Sequence, residues 1–246
     1  MEADQSDAVL SILQNGQLTL QGEFLWGSNY TFLVSLDHHG DCLQAVYKPT
    51  RGERPLWDFT ASSLARREVA AFLVSQALRW DLVPPTILRR RGPLGQGSLQ
   101  LYIEHDPEYH YFSFTPEDRE RLRPVALFDL LINNADRKGS HVLVDRNRRI
   151  WLIDHGVCFH AEEKLRTVIW DFSGEPIPDS LLSDLEAFRN KLESSPGSPS
   201  ALAASLEGYL TRREVLSLAA RAERLLASRR FPNPPPNRRP YPWPLL

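Results

Sequence analysis

Apolar and polar positions alternate through the first third of the chain, and alternation rich in β-branched and aromatic residues marks half-buried strands. The pattern predicts strands at Leu18 to Leu20, Tyr30 to Leu36 and Leu43 to Tyr47, with turns at Gly22, Gly27 and His39-Gly40-Asp41. From about Ser62 to Leu78 the period becomes helical: Leu64, Glu68, Phe72 (with Ala71) and Ser75 share one stripe. Pro84-Pro85 closes that region, and a strand follows at about Leu99 to Glu104. Thr115-Pro116-Glu117-Asp118 places a cap, a first-turn proline and an acidic third position in order, predicting a helix that bends at Pro124 and runs to Ile132. A polar loop, Asn133 to His141, precedes two short strands, Val142 to Val144 and Ile150 to Ile153, around the turn Asp145-Arg146-Asn147-Arg148. The last third predicts helices at Asp179 to Leu192, from about Ala201, and from the capping box Thr211-x-x-Glu214 to about Ser228.

Strands first and helices afterwards give an α+β chain of two lobes. The expected organisation is a β-rich N-lobe with one helix (1–104), a mostly helical C-lobe (105–230) and a tail (231–246). Seven prolines in the sixteen tail residues predict an extended or disordered segment rather than a packed one.

Composition narrows the partners. The chain has 246 residues and a formal net charge of −2, so no global basic field points to nucleic acid. No apolar run reaches the length of a membrane-spanning helix. The start, MEADQSDAVL, lacks the basic and apolar regions of a signal peptide, and a cytoplasmic location follows as the default. Cys42 and Cys158 read as reduced, buried thiols.

The candidate chemistry lies in the unit from the polar loop to Asp154-His155-Gly156. Asp136 and His141 precede one strand and Asp154 follows its partner, so a hairpin brings the three together. Two carboxylates and an imidazole at one point suit a divalent metal and a proton acceptor. Each aspartate taken singly also reads as a turn-capping residue. Lys48 shares a strand face with Val46 and needs an anion there. Glu68, a carboxylate within an apolar stripe, is the obvious partner, unless Arg67-Glu68 is a solvated helix edge. Gly22, Gly27, Ser28 and Asn29 punctuate a segment between two strands where backbone amides can approach phosphate, or where a plain hairpin turn suffices. His155-x-x-Cys158-x-His160 fits no standard zinc spacing, no Gly-x-Ser-x-Gly elbow is present, and the Arg-rich stretch 212–230 reads as a solvated face with balancing glutamates.

These residues resemble a known pattern. Asp136, His141 five residues on and Asp154-His155-Gly156 after a further thirteen are similar to the catalytic Asp, metal-binding Asn and DFG motif of the protein-kinase-like superfamily. The nearer likeness is to its phosphatidylinositol 3-/4-kinase-like and HipA-like branches, and more narrowly to an uncharacterised bacterial family of that relation. It is carried by Ala126-Leu127-Phe128-Asp129 through Asn133-Asn134-Ala135-Asp136-Arg137-Lys138, by Ile153-Asp154-His155-Gly156 and by Trp170-Asp171-Phe172, and covers roughly residues 10 to 230. The resemblance implies a two-lobed protein-kinase-like fold and a phosphotransferase using ATP and Mg²⁺ on a hydroxyl acceptor. Phosphoryl transfer is expected ahead of adenylyl transfer, and a protein, a metabolite and a lipid headgroup all stay open as the acceptor. Lys48 would hold the α/β-phosphates and pair with Glu68, Asp136 would orient or deprotonate the acceptor, and His141 and Asp154 would hold the metal. The Gly22 to Asn29 segment would cover the phosphates, and Tyr102, Ile103 and Glu104 would form the hinge beside adenine. His141 stands where kinases place Asn, and imidazole favours softer ions, which opens Mn²⁺ beside Mg²⁺. His155 replaces the Phe of DFG. Both departures keep a catalytically weak nucleotide-binding or scaffold protein as the alternative.

Overall fold

The computed structural model describes residues 3–24, 30–193 and 200–246. Helix α1 (Ala3–Asn15) precedes strands β1 (Gln17–Glu23), β2 (Phe32–His38) and β3 (Asp41–Pro49). Helix α2 (Leu64–Leu78) is followed by β4 (Thr86–Arg89) and β5 (Gly97–Leu101). The strands form one antiparallel sheet in the order β1-β2-β3-β5-β4. Sequence reading finds neither α1 nor β4. Alternation along β3 sorts its two faces: Ala45 and Tyr47 are fully buried in a small core with Leu13 of α1, Val34, Leu36 and Leu99. Val46 and Lys48 therefore face the other way.

Gly97 lies opposite Pro49, next to the Lys48–Ser98 pair. A Cβ on Gly97 would stand 2.4 Å from the Lys48 carbonyl oxygen, so only glycine lets β5 lie this close to β3 there.

The C-terminal part begins with α3 (Pro116–Glu120) and α4 (Arg123–Ile132), the expected single bent helix divided in two. The Thr115 side chain caps α3, accepting from the Asp118 N–H at 3.3 Å. A hairpin, β6 (Val142–Val144) and β7 (Ile150–Leu152), is followed by α5 (Asp179–Leu192), α6 (Ala201–Glu207) and α7 (Arg212–Ser228). The larger core joins α2 to this part through Ala71, Phe72, Val74, Phe128, Phe159 and Leu218, all buried. Burial of that apolar surface, at roughly 25 cal/mol per Å², is what holds α2 against the C-terminal helices.

Three expectations need correction, and one weighed alternative falls away. The tail has no helix or ladder strand, but it packs: Phe231 is buried, Thr167 N–H donates to the Pro240 carbonyl (3.0 Å), and Gly139 N–H donates to the Leu245 carbonyl (2.8 Å). Aromatic and leucine side chains between the prolines give the segment something to anchor with. The Arg-rich helix α7 is not a wholly solvated face, because Glu214 and Arg221 are buried. Cys42 is exposed at the start of β3, and only Cys158 is buried. Arg67-Glu68 is no solvated edge, since both residues are 3% exposed.

Candidate active site

Lys48 is the meeting point of the sheet, α2 and the hairpin. Its ammonium donates to Glu68 Oε1 at 2.7 Å and to Asp154 Oδ1. Loss of water around Lys48 favours the neutral amine, but the Asp154 and Glu68 charges outweigh it and keep the group firmly protonated. Glu68 Oε2 accepts the His155 backbone N–H at 2.9 Å, so one carboxylate joins the sheet lysine to the segment after β7. This is the pairing expected from the sequence.

Asp154 follows β7 with φ 64°, in the left-handed region that Asp tolerates better than most residues. Its second oxygen lies 3.2 Å from His141 Nε2. Desolvation opposes ionisation of Asp154, yet Lys48 and His141 hold its carboxyl well below the ordinary range. Burial pushes the His141 imidazole down to about 4, leaving it neutral near pH 7. The Lys138 backbone N–H points to His141 Nδ1 at 3.4 Å, which directs the ring's other nitrogen at Asp154. Among the described residues, no group of three or more His, Cys, Asp or Glu side chains forms a metal cage.

Asp136 is set by the asparagine pair before it. Asn133, in the left-handed conformation, ends α4, and its side chain ties the chain at His160, Glu162 and Lys164. Asn134 Oδ1 accepts the Asp136 backbone N–H at 2.9 Å, while its amide donates to Asp129 at 3.1 Å. The Asp136 carboxyl is pushed up to about 6, chiefly by burial, with the Asp154 charge adding and Lys138 and Arg166 opposing. Lys138 Nζ lies 3.7 Å from it.

Beneath the loop, Arg137 and Asp129 form a fully buried ion pair at 3.0 Å. The same guanidinium donates to the Ile153 carbonyl (2.8 Å) and to His155 Nε2 (2.9 Å). Because arginine only donates, that nitrogen accepts and the His155 proton sits on Nδ1. The His155 ring is thus tied by a hydrogen bond to the loop arginine.

Lys48, Glu68, Asp136 and Asp154 line one open cleft with Tyr30, Thr31, Glu53 and Gly156, enclosing about 660 Å³ with its solvent-open mouth. Gly156 lies close to α2 at its wall: a Cβ there would stand 3.3 Å from the Leu64 Cβ, a tight approach that a small shift relieves. Tyr102, Ile103 and Glu104 follow β5 as the connection to the C-terminal part. Ile103 packs with Leu143 and Trp151, and Glu104 pairs with Arg146 at the surface. Gly22 lies inside β1 opposite Leu33, exposed, rather than in the turn. Gly27, Ser28 and Asn29 lie outside the described residues.

Sequence reading missed Glu53, whose carboxylate accepts from the Leu64 and Ala65 N–H groups at the start of α2 (3.2 and 2.9 Å). No local signal links it to a helix eleven residues away. It also missed roles for Lys138, Asp129 and Glu214, the last visible in the sequence only as a cap.

No protein-family model matches the chain. Over 269 positions it is 39% identical to Protein Rv2133c of Mycobacterium tuberculosis (strain ATCC 25618 / H37Rv), covering 95% of this chain and 94% of that protein. It is 24% identical over 198 positions to phosphatidylinositol 4-kinase gamma 4 of Oryza sativa subsp. japonica, covering 66% of this chain but only 34% of that protein. Among solved structures, the Golgi casein kinase with Mn/ADP bound superposes with a TM-score of 0.60 at 15% identity, covering 92% of this chain and 76% of that one. Hydra Fam20 with sugar gives 0.55 at 16% identity, covering 92% and 88%. The α+β, protein-kinase-like fold read from the sequence is the fold of this chain. Among the described residues, no helix is long and apolar enough to cross a membrane.

Proposed function

The chain belongs to the family of the Mycobacterium tuberculosis protein Rv2133c, and from that premise and its protein-kinase-like fold we propose that it is an ATP- and divalent-metal-dependent phosphotransferase acting on a hydroxyl acceptor. The observation that carries this reading is the double pairing of Lys48 with Glu68 and Asp154 at a cleft that Asp136 also lines. A fixed ammonium beside two carboxylates provides one cation for a polyphosphate and an anionic seat for another.

Lys48 would hold the α/β-phosphates while Glu68 keeps its amine in place. Asp136, at the cleft wall, would orient the acceptor hydroxyl and take up its proton. Tyr102 to Glu104 would flank the adenine. Asp154 and His141 would hold the metal, which supplies charge to the phosphate oxygens when bound. The donors fit: a carboxylate and a neutral imidazole with 3.2 Å between their facing atoms match neighbouring positions around one ion, with most of the shell left to phosphate and water. The mixed oxygen–nitrogen pair favours Mn²⁺ more than an all-oxygen pair would, and the Golgi casein kinase structure carries Mn/ADP. The Lys138 N–H contact to Nδ1 leaves the imidazole proton on Nε2, facing Asp154, so a metal at Nε2 would require that proton to move to Nδ1 and the Lys138 contact to open. The rice relative supports the phosphatidylinositol-kinase side of the sequence likeness; the HipA-like side rests on the motifs alone.

A second reading, nucleotide binding without efficient transfer, is favoured by His141 in place of an oxygen-donating side chain. Incubation with ATP labelled in the γ-phosphate, with Mg²⁺ or Mn²⁺, separates the two. The first reading expects ATP consumption that Asp136→Ala abolishes in a folded protein. Consumption unchanged in that variant would refute the role of Asp136, and binding without any turnover would leave the second reading.

A further inference from the structure

Arg67 and Glu68 are consecutive on α2, equally buried, and bond in different directions. Glu68 serves the cleft. Arg67 reaches into the C-terminal lobe: Nη2 donates to Glu214 Oε1 at 2.5 Å, Nη1 to the Cys158 carbonyl at 2.6 Å and Nε to Ser63 Oγ at 3.3 Å. The guanidinium lies 4.8 Å over the Phe59 ring. The side chains of Arg67 and Glu214 are 4% and 8% exposed. Glu214 is itself fixed at the start of α7, where Oε2 accepts from the Thr211 N–H (2.9 Å) and hydroxyl (2.8 Å). A planar fork bonded through each of its three nitrogens sets the rotation of α2 as well as its distance, which a lysine could not do.

We propose that the Arg67–Glu214 pair is a positioning clamp: it holds α2 on the C-terminal lobe so that Glu68 stays on Lys48, and the nucleotide cleft is assembled without a switch in the segment after Asp154. The consequence for nucleotide rests on the phosphotransferase reading above; the clamp itself does not. Two observations support it. A buried ion pair is a weak source of stability compared with apolar residues of equal volume, and its best-attested use is to fix register. The segment from Val157 to Trp170 also offers no accessible hydroxyl for a phosphoryl switch. Its one hydroxyl residue, Thr167, is 3% exposed and donates to Asp129 at 3.2 Å. Apolar packing holds α2 on the core, and the bonds of Arg67 to Glu214 and to the Cys158 carbonyl fix its orientation there.

The test uses the full chain and the variants Arg67→Met, Glu214→Gln, Glu68→Gln and Arg67→Met/Glu68→Gln. Hydrogen exchange on the ligand-free protein should show faster exchange of α2 amides in Arg67→Met, with α4 and α5 unchanged. Binding of ATP with Mn²⁺, measured by calorimetry, should weaken in Arg67→Met. The double variant should bind no more weakly than Glu68→Gln alone, because Arg67 acts through Glu68. A general loss of stability would instead add to the Glu68 effect. Should Arg67→Met fail to fold, Glu214→Gln, which keeps the shape and the Thr211 contacts, carries the same two measurements with smaller changes. Unchanged α2 exchange, or losses that multiply in the double variant, would overturn the clamp. If the parent chain binds no nucleotide, the phosphotransferase reading fails, and the exchange measurement alone decides the clamp.

Discussion

Lys48 and Asp154 stand 106 residues apart in sequence and share a direct ion pair in the cleft. Their meeting depends on backbone geometry on both sides. Lys48 is held by the close approach of β5 at Gly97, and Asp154 is aimed by its left-handed conformation after β7. Gly97→Ala should therefore push β5 away from β3 at Lys48. A loss of about 1–3 kcal/mol in denaturant unfolding is expected for such overpacking, together with weaker nucleotide binding. Wild-type stability and binding in that variant would show that the strands part without disturbing Lys48.

The support beneath the loop that carries Asp136 is the Arg137–Asp129 pair, in which neither side chain is exposed. Asp129→Ala leaves the guanidinium buried without its counter-charge, at a cost of about 3–5 kcal/mol. Asp129→Leu combined with Arg137→Met should recover only part of that loss, because the Asn134 amide, the Thr167 hydroxyl, the Ile153 carbonyl and His155 Nε2 lose their buried partners. Urea midpoints of the single and paired variants check both statements. A single-variant loss below about 1 kcal/mol would place the pair outside the buried-charge regime.

Asp136 gives a pH signature of definite sign. A base must be ionised to accept a proton, so the rate should rise through about pH 6 rather than near 3.8. The same upward shift means that the folded chain resists ionisation at this position. Its contribution to stability is present below the unfolded value and lost as pH rises through about 6. Asp136→Asn, neutral throughout, should abolish turnover yet melt at a higher temperature than the parent at pH 8. A lower melting temperature for that variant would contradict the shift.

The tail is pinned to Gly139, three residues after Asp136, through Leu245, and to Thr167, which bridges to Arg137, through Pro240. Removing residues 240–246 should speed exchange of the Gly139 and Thr167 amides and lower turnover more than nucleotide affinity. Exchange in the β1–β5 sheet should not change. Full protection at Gly139 in the shortened chain would show that the tail does not restrain the loop.

How far the sequence discloses this arrangement depends on the range of each interaction. Strands β2 and β3, helix α2 and the β6–β7 hairpin are legible because periodicity and turn chemistry are local. The Lys48–Glu68 pair is legible because a carboxylate in an apolar stripe needs a partner, and strand alternation supplies one. Helix α1 is not legible, since its weakly patterned residues are held by the sheet rather than by their own propensity. The packed tail was hidden by its prolines, which report the lack of regular structure but say nothing of anchoring by Phe231 or by backbone carbonyls. Glu53, Lys138 and the Arg67–Glu214 contact are set by tertiary proximity alone. A buried arginine beside a buried glutamate looks, in sequence, the same as a solvated pair.

Calorimetric titration of the full chain with ATP and Mn²⁺, run beside Lys48→Met and Asp154→Asn, bears most directly on the cleft. Saturable binding by the parent at one site per chain is expected, with severe weakening in Lys48→Met and, in Asp154→Asn, loss of the metal's contribution to affinity. Equal affinity in all three proteins, or no heat of binding in the parent, would contradict a nucleotide site built on Lys48, Glu68 and Asp154.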